Sequence, residues 1–389
     1  MRLSTTRYAA LQSAYWSAFC LAIMFASVFL LSKGLTNTQI GIVVATGGAI
    51  SAVAQPIVAG AAEGSRVPLR VWISALTALM IVVAAALFIP GLPWLLTAVF
   101  FGFQILTIQL ILPLVNALGM AVLNAGIAMN FGVARAAGSA VFAVVSVGAG
   151  SLVAAFDTMV IPLLAIGFQA LMILFALTFT YRQPALPHVD TDDEAHVAPT
   201  AHAPLTLVQR RKFTLLLVGV ALSMTSHNLI NAFLFQTMTY HGGGAEEMGT
   251  AVMIAALCEL PTMALWSWIV TKWSSGLMLK VAGVFFAVKN LATWLAGSVG
   301  ALYFAQGLQL LAFAVLVPAS IYYVNKLMPP QDRVKGQAYM TMTHTLGTVI
   351  GSLSGGFILD AAGVPTMLLF GTAVATVGAV LTIVSAEHL

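Results

Sequence analysis

Three charged side chains stand in stretches where charge is out of place. Glu259 lies in TAVMIAALCELPTMALWSW, Lys289 in GVFFAVKNLATWL and Arg135 in NFGVARAAGSAVF. If such segments cross a bilayer, an ionisable group there costs on the order of 3 kcal/mol or more unless it is paired or hydrated. One acid and two bases permit two kinds of chemistry. They can be structural, with Lys289 or Arg135 neutralising Glu259 or reaching along its own stem to an interface. Alternatively they face a wet chamber, where Glu259 accepts hydrogen bonds from a solute or carries a proton. The cations would then hold an anionic or hydroxylated solute. Whether a carboxyl in such a place keeps its proton depends on the neighbouring cation or ligand, which is the sensitivity that proton coupling requires. The sequence leaves both readings open, and the two cations could share the single carboxylate.

Uncharged polar groups extend the set. SHNLINAFLFQ supplies His227, Asn228, Asn231 and Gln236. His227 and Asn231 are four apart and share a helical face. Asn116, Gln309, His344 and Thr345 lie in other apolar runs. A polar contact between helices explains any one of them. As a group they outline a central cavity.

Such groups must be positioned by elements that tolerate lipid. Of the 389 residues, 60% are hydrophobic and 7% charged, against about 25% charged in a soluble domain. About 20 apolar residues make one helical crossing. Apolar runs near 8–32, 39–62, 69–90, 94–118, 131–155, 158–180, 213–240, 247–271, 277–296, 299–325, 335–359 and 364–385 predict twelve transmembrane helices in an all-α membrane protein. The first run comes after a short basic start and is longer than a signal-peptide core, so it reads as a retained helix. Glycines such as Gly41, Gly47, Gly48, Gly138, Gly347, Gly351, Gly355 and Gly356 mark close helix packing.

One segment cannot cross. Residues 181–212, YRQPALPHVDTDDEAHVAPTAHAPLTLVQRRK, are polar and Pro-rich. They divide the chain into an N-terminal six-helix bundle, 1–180, and a C-terminal one, 213–389, the outline of two parallel repeats. His188, His196 and His202 read as part of a solvated linker rather than a metal tract. With both termini cytoplasmic, thirteen of the sixteen Lys and Arg residues fall on the inner side and only Lys33 on the outer, the remaining two being Arg135 and Lys289. That asymmetry sets the orientation in a bacterial-type inner membrane. The net charge of +4 reports this topology, and no nucleic-acid partner is expected. Cys20 and Cys258 lie in apolar runs and imply neither a disulfide framework nor a metal site. There is no Walker loop, no GxSxG elbow and no HExxH, so neither ATP use nor an enzyme is expected, and no cofactor.

Several segments resemble the major facilitator superfamily: the first helix followed by GLTNTQIG, then QPIVAGAAEGSR between the second and third helices. The resemblance implies a cytoplasmic gating loop in which Glu63 is the acid and Arg66 and Arg70 its basic partners. Within that superfamily the chain looks most like the oligosaccharide–proton symporters, the lactose-permease group, and the related phenylpropionate permease branch. In that likeness Arg135 of NFGVARAAGS falls on a sugar-binding arginine, Glu259 of CELP on a sugar-binding glutamate, and Lys289 of AVKNL on a cavity arginine used in coupling. Asn116 stands where the group has a second sugar-binding carboxylate. Gln309 and Ala312 replace its helix-10 histidine and proton-carrying glutamate, so lactose specificity and that proton relay do not transfer. The expectation is proton-coupled uptake of a small polar solute by alternating access, with a sugar or oligosaccharide favoured. Nucleosides or small aromatic acids come close behind. A monomer is expected. Rival readings are proton-coupled efflux of drugs or metabolites and a non-transporting membrane sensor.

Overall fold

The computed structural model describes residues 3–179, 206–329 and 332–387, and every regular element in it is helical. The order is α1 (Leu3–Phe19), α2 (Ala26–Ser32), α3 (Asn37–Glu63), α4 (Leu69–Ala86), α5 (Trp94–Asn124), α6 (Phe131–Ala155), α7 (Val160–Thr178), α8 (Leu207–Ala232), α9 (Leu234–Tyr240), α10 (Ala245–Lys272), α11 (Ser275–Trp294), α12 (Val299–Gly307), α13 (Phe313–Leu327) and α14 (Arg333–Ser385). Several of the helix starts are written in the sequence. Asn130, Ser274 and Ser298 cap α6, α11 and α12, and Thr36 with Gln39 and Thr206 with Gln209 form capping boxes. The second box starts α8 at Leu207, so the last residues of the 181–212 linker are helical rather than free. The linker histidines His188, His196 and His202 lie outside the described residues.

Ten helical stretches are long and apolar enough to cross a membrane, and the bent pair Ser4–Met24 and Ala26–Ser32 makes an eleventh. The twelfth comes from α14. Its 53 residues would make a rod of about 80 Å if straight, far longer than a bilayer is thick. At Gly363 the backbone takes φ 76° and ψ 178°. The contacts with α8 reveal the effect on the chain's direction. Gly347, Gly351 and Gly355 meet Met224, Thr225 and Phe233 in ascending order, whereas Gly371 and Gly378 meet Leu229 and Gly219 in descending order. The chain therefore reverses at Gly363, giving twelve crossings among the described residues. A positive φ is open to glycine at little cost. We expect Gly363→Ala to lower stability by about 1 kcal/mol, read as a lower midpoint in thermal unfolding of the purified protein.

Polar groups buried among the spans are largely satisfied internally, as lipid demands. Tyr8 and Tyr15 of α1 donate to the carbonyls of Val115 and Ile108 on α5. Gln104 of α5 donates to Met80 O and accepts from Gln169 of α7.

The first and second halves of the chain join along two seams. In one, α3 lies on α14: a methyl group on Gly41 would strike the carbonyl of Ser352, and one on Gly356 the carbonyl of Asn37. In the other, α6 lies on α10, with Gly150 against Ala245 O and Gly249 against Ser146 O. Ser146 Oγ donates to Gly249 O at 3.0 Å. Asp360 clasps the first seam. Its carboxylate accepts from the backbone N–H of Asn37 (3.1 Å) and Thr38 (2.7 Å) and from Asn37 Nδ2 (2.8 Å). Two of the otherwise unpaired amides at the start of α3 are thus capped from across the molecule. Gln236 of α9 completes the clasp by donating to Asn37 Oδ1 at 2.9 Å. Gln236 therefore belongs to this closure, not to the cavity that its place in SHNLINAFLFQ suggested. These contacts gather at the end of the bundle where α3 and α10 begin.

Candidate substrate cavity

Three spans are interrupted within their length. The first winds into a π-helical turn at Cys20–Met24 and bends by 48° before α2. Such turns and bends commonly accompany functional sites. Phe233 separates α8 from α9. Between α12 and α13 a single 3-10 turn, Leu308–Leu310, interrupts the helix. Around the first and third breaks lies a cavity of about 460 Å³ between the two halves. Phe19, Ile23 and Met24 from the first break line it on one side, and Gln309 from the third on the other.

Glu259, midway along α10, faces this space. Its Oε1 accepts a hydrogen bond from Gln309 Nε2 at 3.0 Å. Gln309 Oε1 in turn accepts from Lys289 Nζ at 2.6 Å. Lys289 is 1% exposed and sits behind Gln309, away from the cavity surface. A neutral amide thus stands between base and acid, with each end matched to its neighbour. The break at Leu308–Leu310 is what turns Gln309 into that position.

Arg135, on the opposite wall, does not join this group. Its guanidinium lies 4.0 Å from the ring centroid of Trp16 and donates through Nη1 to Ser139 Oγ at 2.8 Å. Stacking of this kind contributes about 0.5–2 kcal/mol. Trp16 is itself fixed by donating to Gln12 Oε1 at 3.0 Å. Arg135, Ser139 and Phe142 keep to helical spacing along α6 and all face the cavity. The two cations are held differently but both bear electrostatically on the one carboxylate: Lys289 reaches it through Gln309, and Arg135, held by an aromatic face and a hydroxyl, makes no hydrogen bond to it.

His227 and Asn231 line the space and bond to each other at 3.0 Å. The His227 ring stacks on Phe313, with centroids 5.1 Å apart. His344 lines the cavity nearby. Asn116, in contrast, is half-buried on α5 and does not line it. Sequence reasoning passed over Trp16, Ser139, Gln109 and Gln306, which do line it. Ser139 was discoverable as the i+4 neighbour of a charged residue, whereas Trp16 looks like any aromatic in an apolar run.

At the proposed gating loop, α3 ends at Glu63 and Arg70 falls in the first turn of α4. The turn between them is braced at Ser65, whose Oγ accepts from Val67 N at 2.8 Å and from Trp72 Nε1 at 3.3 Å. Arg66 is exposed.

Among proteins of known sequence, the chain is similar to maltose permease of Geobacillus stearothermophilus, with 25% identity over 372 residues, 93% of this chain and 89% of that one. Among solved structures it resembles the nucleoside transporter NupG, with a TM-score of 0.79, 14% identity and 98% of each chain covered. It also resembles a bacterial homologue of the iron transporter ferroportin in an inward-facing state, with a TM-score of 0.73, 13% identity and 100% of each chain covered. At these identities the structures speak to the fold alone. Residues 6–370 match the MFS_1 like family. With its crossings arranged around a central polar cavity, the chain belongs to that family and is a membrane transporter of the major facilitator type, not an enzyme.

Proposed function

We propose that this transporter takes up a small polar solute together with protons. The two six-helix bundles, 1–180 and 213–389, alternate access around the cavity that holds Glu259. The observation that carries the reading is the acid itself: Glu259 faces the space between the bundles and is tied to a buried base through one amide. A carboxyl so placed can exchange a proton with the cavity, and the Gln309 bridge lets Lys289 respond to its charge without touching it. Arg135, His227, Asn231 and Gln309 are the groups within reach of a solute. The relative named maltose permease supports a sugar or oligosaccharide as the solute class.

Both termini are placed in the cytoplasm of a bacterial-type inner membrane, on the asymmetry of Lys and Arg. The clasp at Asp360 and the two glycine seams then close the outer end, and the cavity faces the cell interior. Glu63, Arg66 and Arg70 would form the inner gate that closes in the opposite state. The working unit is a monomer, since one chain supplies both halves of the cavity.

The test is uptake of radiolabelled sugars and nucleosides by cells producing the protein, with and without a protonophore. We expect accumulation above the external concentration that collapses when the protonophore is added. Accumulation indifferent to the protonophore would remove the proton from the reading, and export from loaded cells would reverse its direction.

A further inference from the structure

One buried amide side chain differs from the rest. Gln12, Gln104, Gln169, Gln236, Asn290 and Gln309 are all buried, and each donates at least one hydrogen bond. Gln306 is 2% exposed, yet among the described residues nothing donates to its side-chain amide or accepts from it. An unmatched buried amide weakens a fold, and such exceptions are few.

The amide is not stranded in the core. Gln306 lies in the last turn of α12, just before Gly307 and the 3-10 turn Leu308–Leu310, and it lines the cavity between the two halves. Gln309, three residues on, lines the cavity too. The two carry the same side chain and different duties. Gln309 is committed at both ends, to Lys289 and to Glu259. Gln306 keeps its N–H donors and its carbonyl free. Water can serve them while the cavity is open to one side. Alternating access requires a moment when both ends are shut and that water is displaced. Whatever shares the closed chamber must then take its place.

Resting on the transport reading above, we propose that Gln306 is a specificity-determining residue that hydrogen-bonds the solute directly. An amide presents a donor and an acceptor side by side in one plane, and its complement is a neutral group offering the converse pair, such as two neighbouring hydroxyls. The residue therefore selects by hydroxyl placement and not by charge. A solute without one of those hydroxyls leaves the amide unmatched inside the closed chamber, and a site built to bond a hydroxyl strongly rejects the analogue that lacks it. The bare amide in the empty carrier is stability given up for that selectivity.

Two measurements test this, one of them without any solute. In the empty, purified full-length protein, Gln306→Leu should leave the unfolding temperature unchanged or raise it, because no hydrogen bond is lost and a desolvated amide is removed. Gln306→Met, closer in shape, should behave alike, whereas Gln309→Leu should lower it. A fall with both Gln306 variants would make the amide part of the scaffold and overturn the proposal. The second measurement is binding of maltose and of uridine, read from the ligand-dependent rise in unfolding temperature. For whichever binds, Gln306→Leu should weaken affinity about tenfold or more. One monodeoxy analogue of that compound should bind the unaltered protein about as weakly and lose nothing further in the variant. Undiminished affinity in Gln306→Leu, or a further loss with every deoxy analogue, overturns the proposal. If neither compound binds, the sugar and nucleoside classes fall from the transport reading, and the empty-protein comparison alone decides the role of Gln306.

Discussion

Replacing Glu259 by Gln is expected to abolish uphill accumulation while leaving solute exchange intact. The variant keeps the volume and one acceptor for Gln309 but cannot release a proton. A coupled carrier works against the solute gradient by drawing on the proton gradient, with each factor of ten in concentration costing about 1.4 kcal/mol. Without a proton site that work is not done, and the accumulation ratio should fall to about one. Counterflow in vesicles preloaded with solute needs no proton step and should persist. The two measurements separate loss of coupling from loss of folding. Full accumulation by Glu259→Gln would show that the proton travels elsewhere. Gln309→Leu should give a milder defect. It leaves both charges in place but removes the amide between them, and a buried base deprived of its acceptor is costly.

The second large effect is expected at the seams. Gly249→Val and Gly356→Val place branched side chains where even a methyl group meets a backbone carbonyl. Overpacking of this kind costs about 1–3 kcal/mol, which corresponds to a shift of roughly 5- to 150-fold between closed and open outer ends. Transport should drop accordingly. Opening itself is read with a cysteine at Ser352, a buried residue beside Gly41, after Cys20 and Cys258 are changed to Ser. In right-side-out vesicles this cysteine should react with an impermeant maleimide in the valine variants and scarcely at all without them. Gly167→Val is the control, since a side chain there meets open space. Equal labelling in all backgrounds would show that the seams do not govern the outer end.

How each feature is encoded decides whether it could be read from the sequence. Glu259, Arg135 and Lys289 stood out because charge in an apolar run has few explanations. Gly41 and Gly356 were readable as close-packing positions, although Gly150 and Gly249, their counterparts on the second seam, were passed over. The geometry of the site was hidden for a different reason. No Pro or Gly announces the π-helical turn at Cys20–Met24, and Gly307, which immediately precedes the 3-10 turn that aims Gln309, reads in the sequence as one more glycine of a packed span. Trp16 is one aromatic among many until Arg135 is seen on its face. Asn116 was a candidate both as a polar group in an apolar run and by family likeness and does not line the cavity, whereas Gln236 left it because Asn37 lies within its reach.

The interruptions in the first, seventh and tenth spans have a consequence of their own. A regular helix is stiff because every turn is strapped to the next, and these spans lose straps within their length. The neighbouring spans α3, α6, α10 and α14, joined along the glycine seams and at the Asp360 clasp, keep their hold on one another. Two of these softened places, in the first and tenth spans, lie in the waist of the molecule beside the cavity, where a rod can flex without disturbing the shell that faces the lipid. Attempts to toughen this carrier against heat should therefore work on its outer shell and leave the waist alone, since straightening those rods would take away the play that lets it turn over.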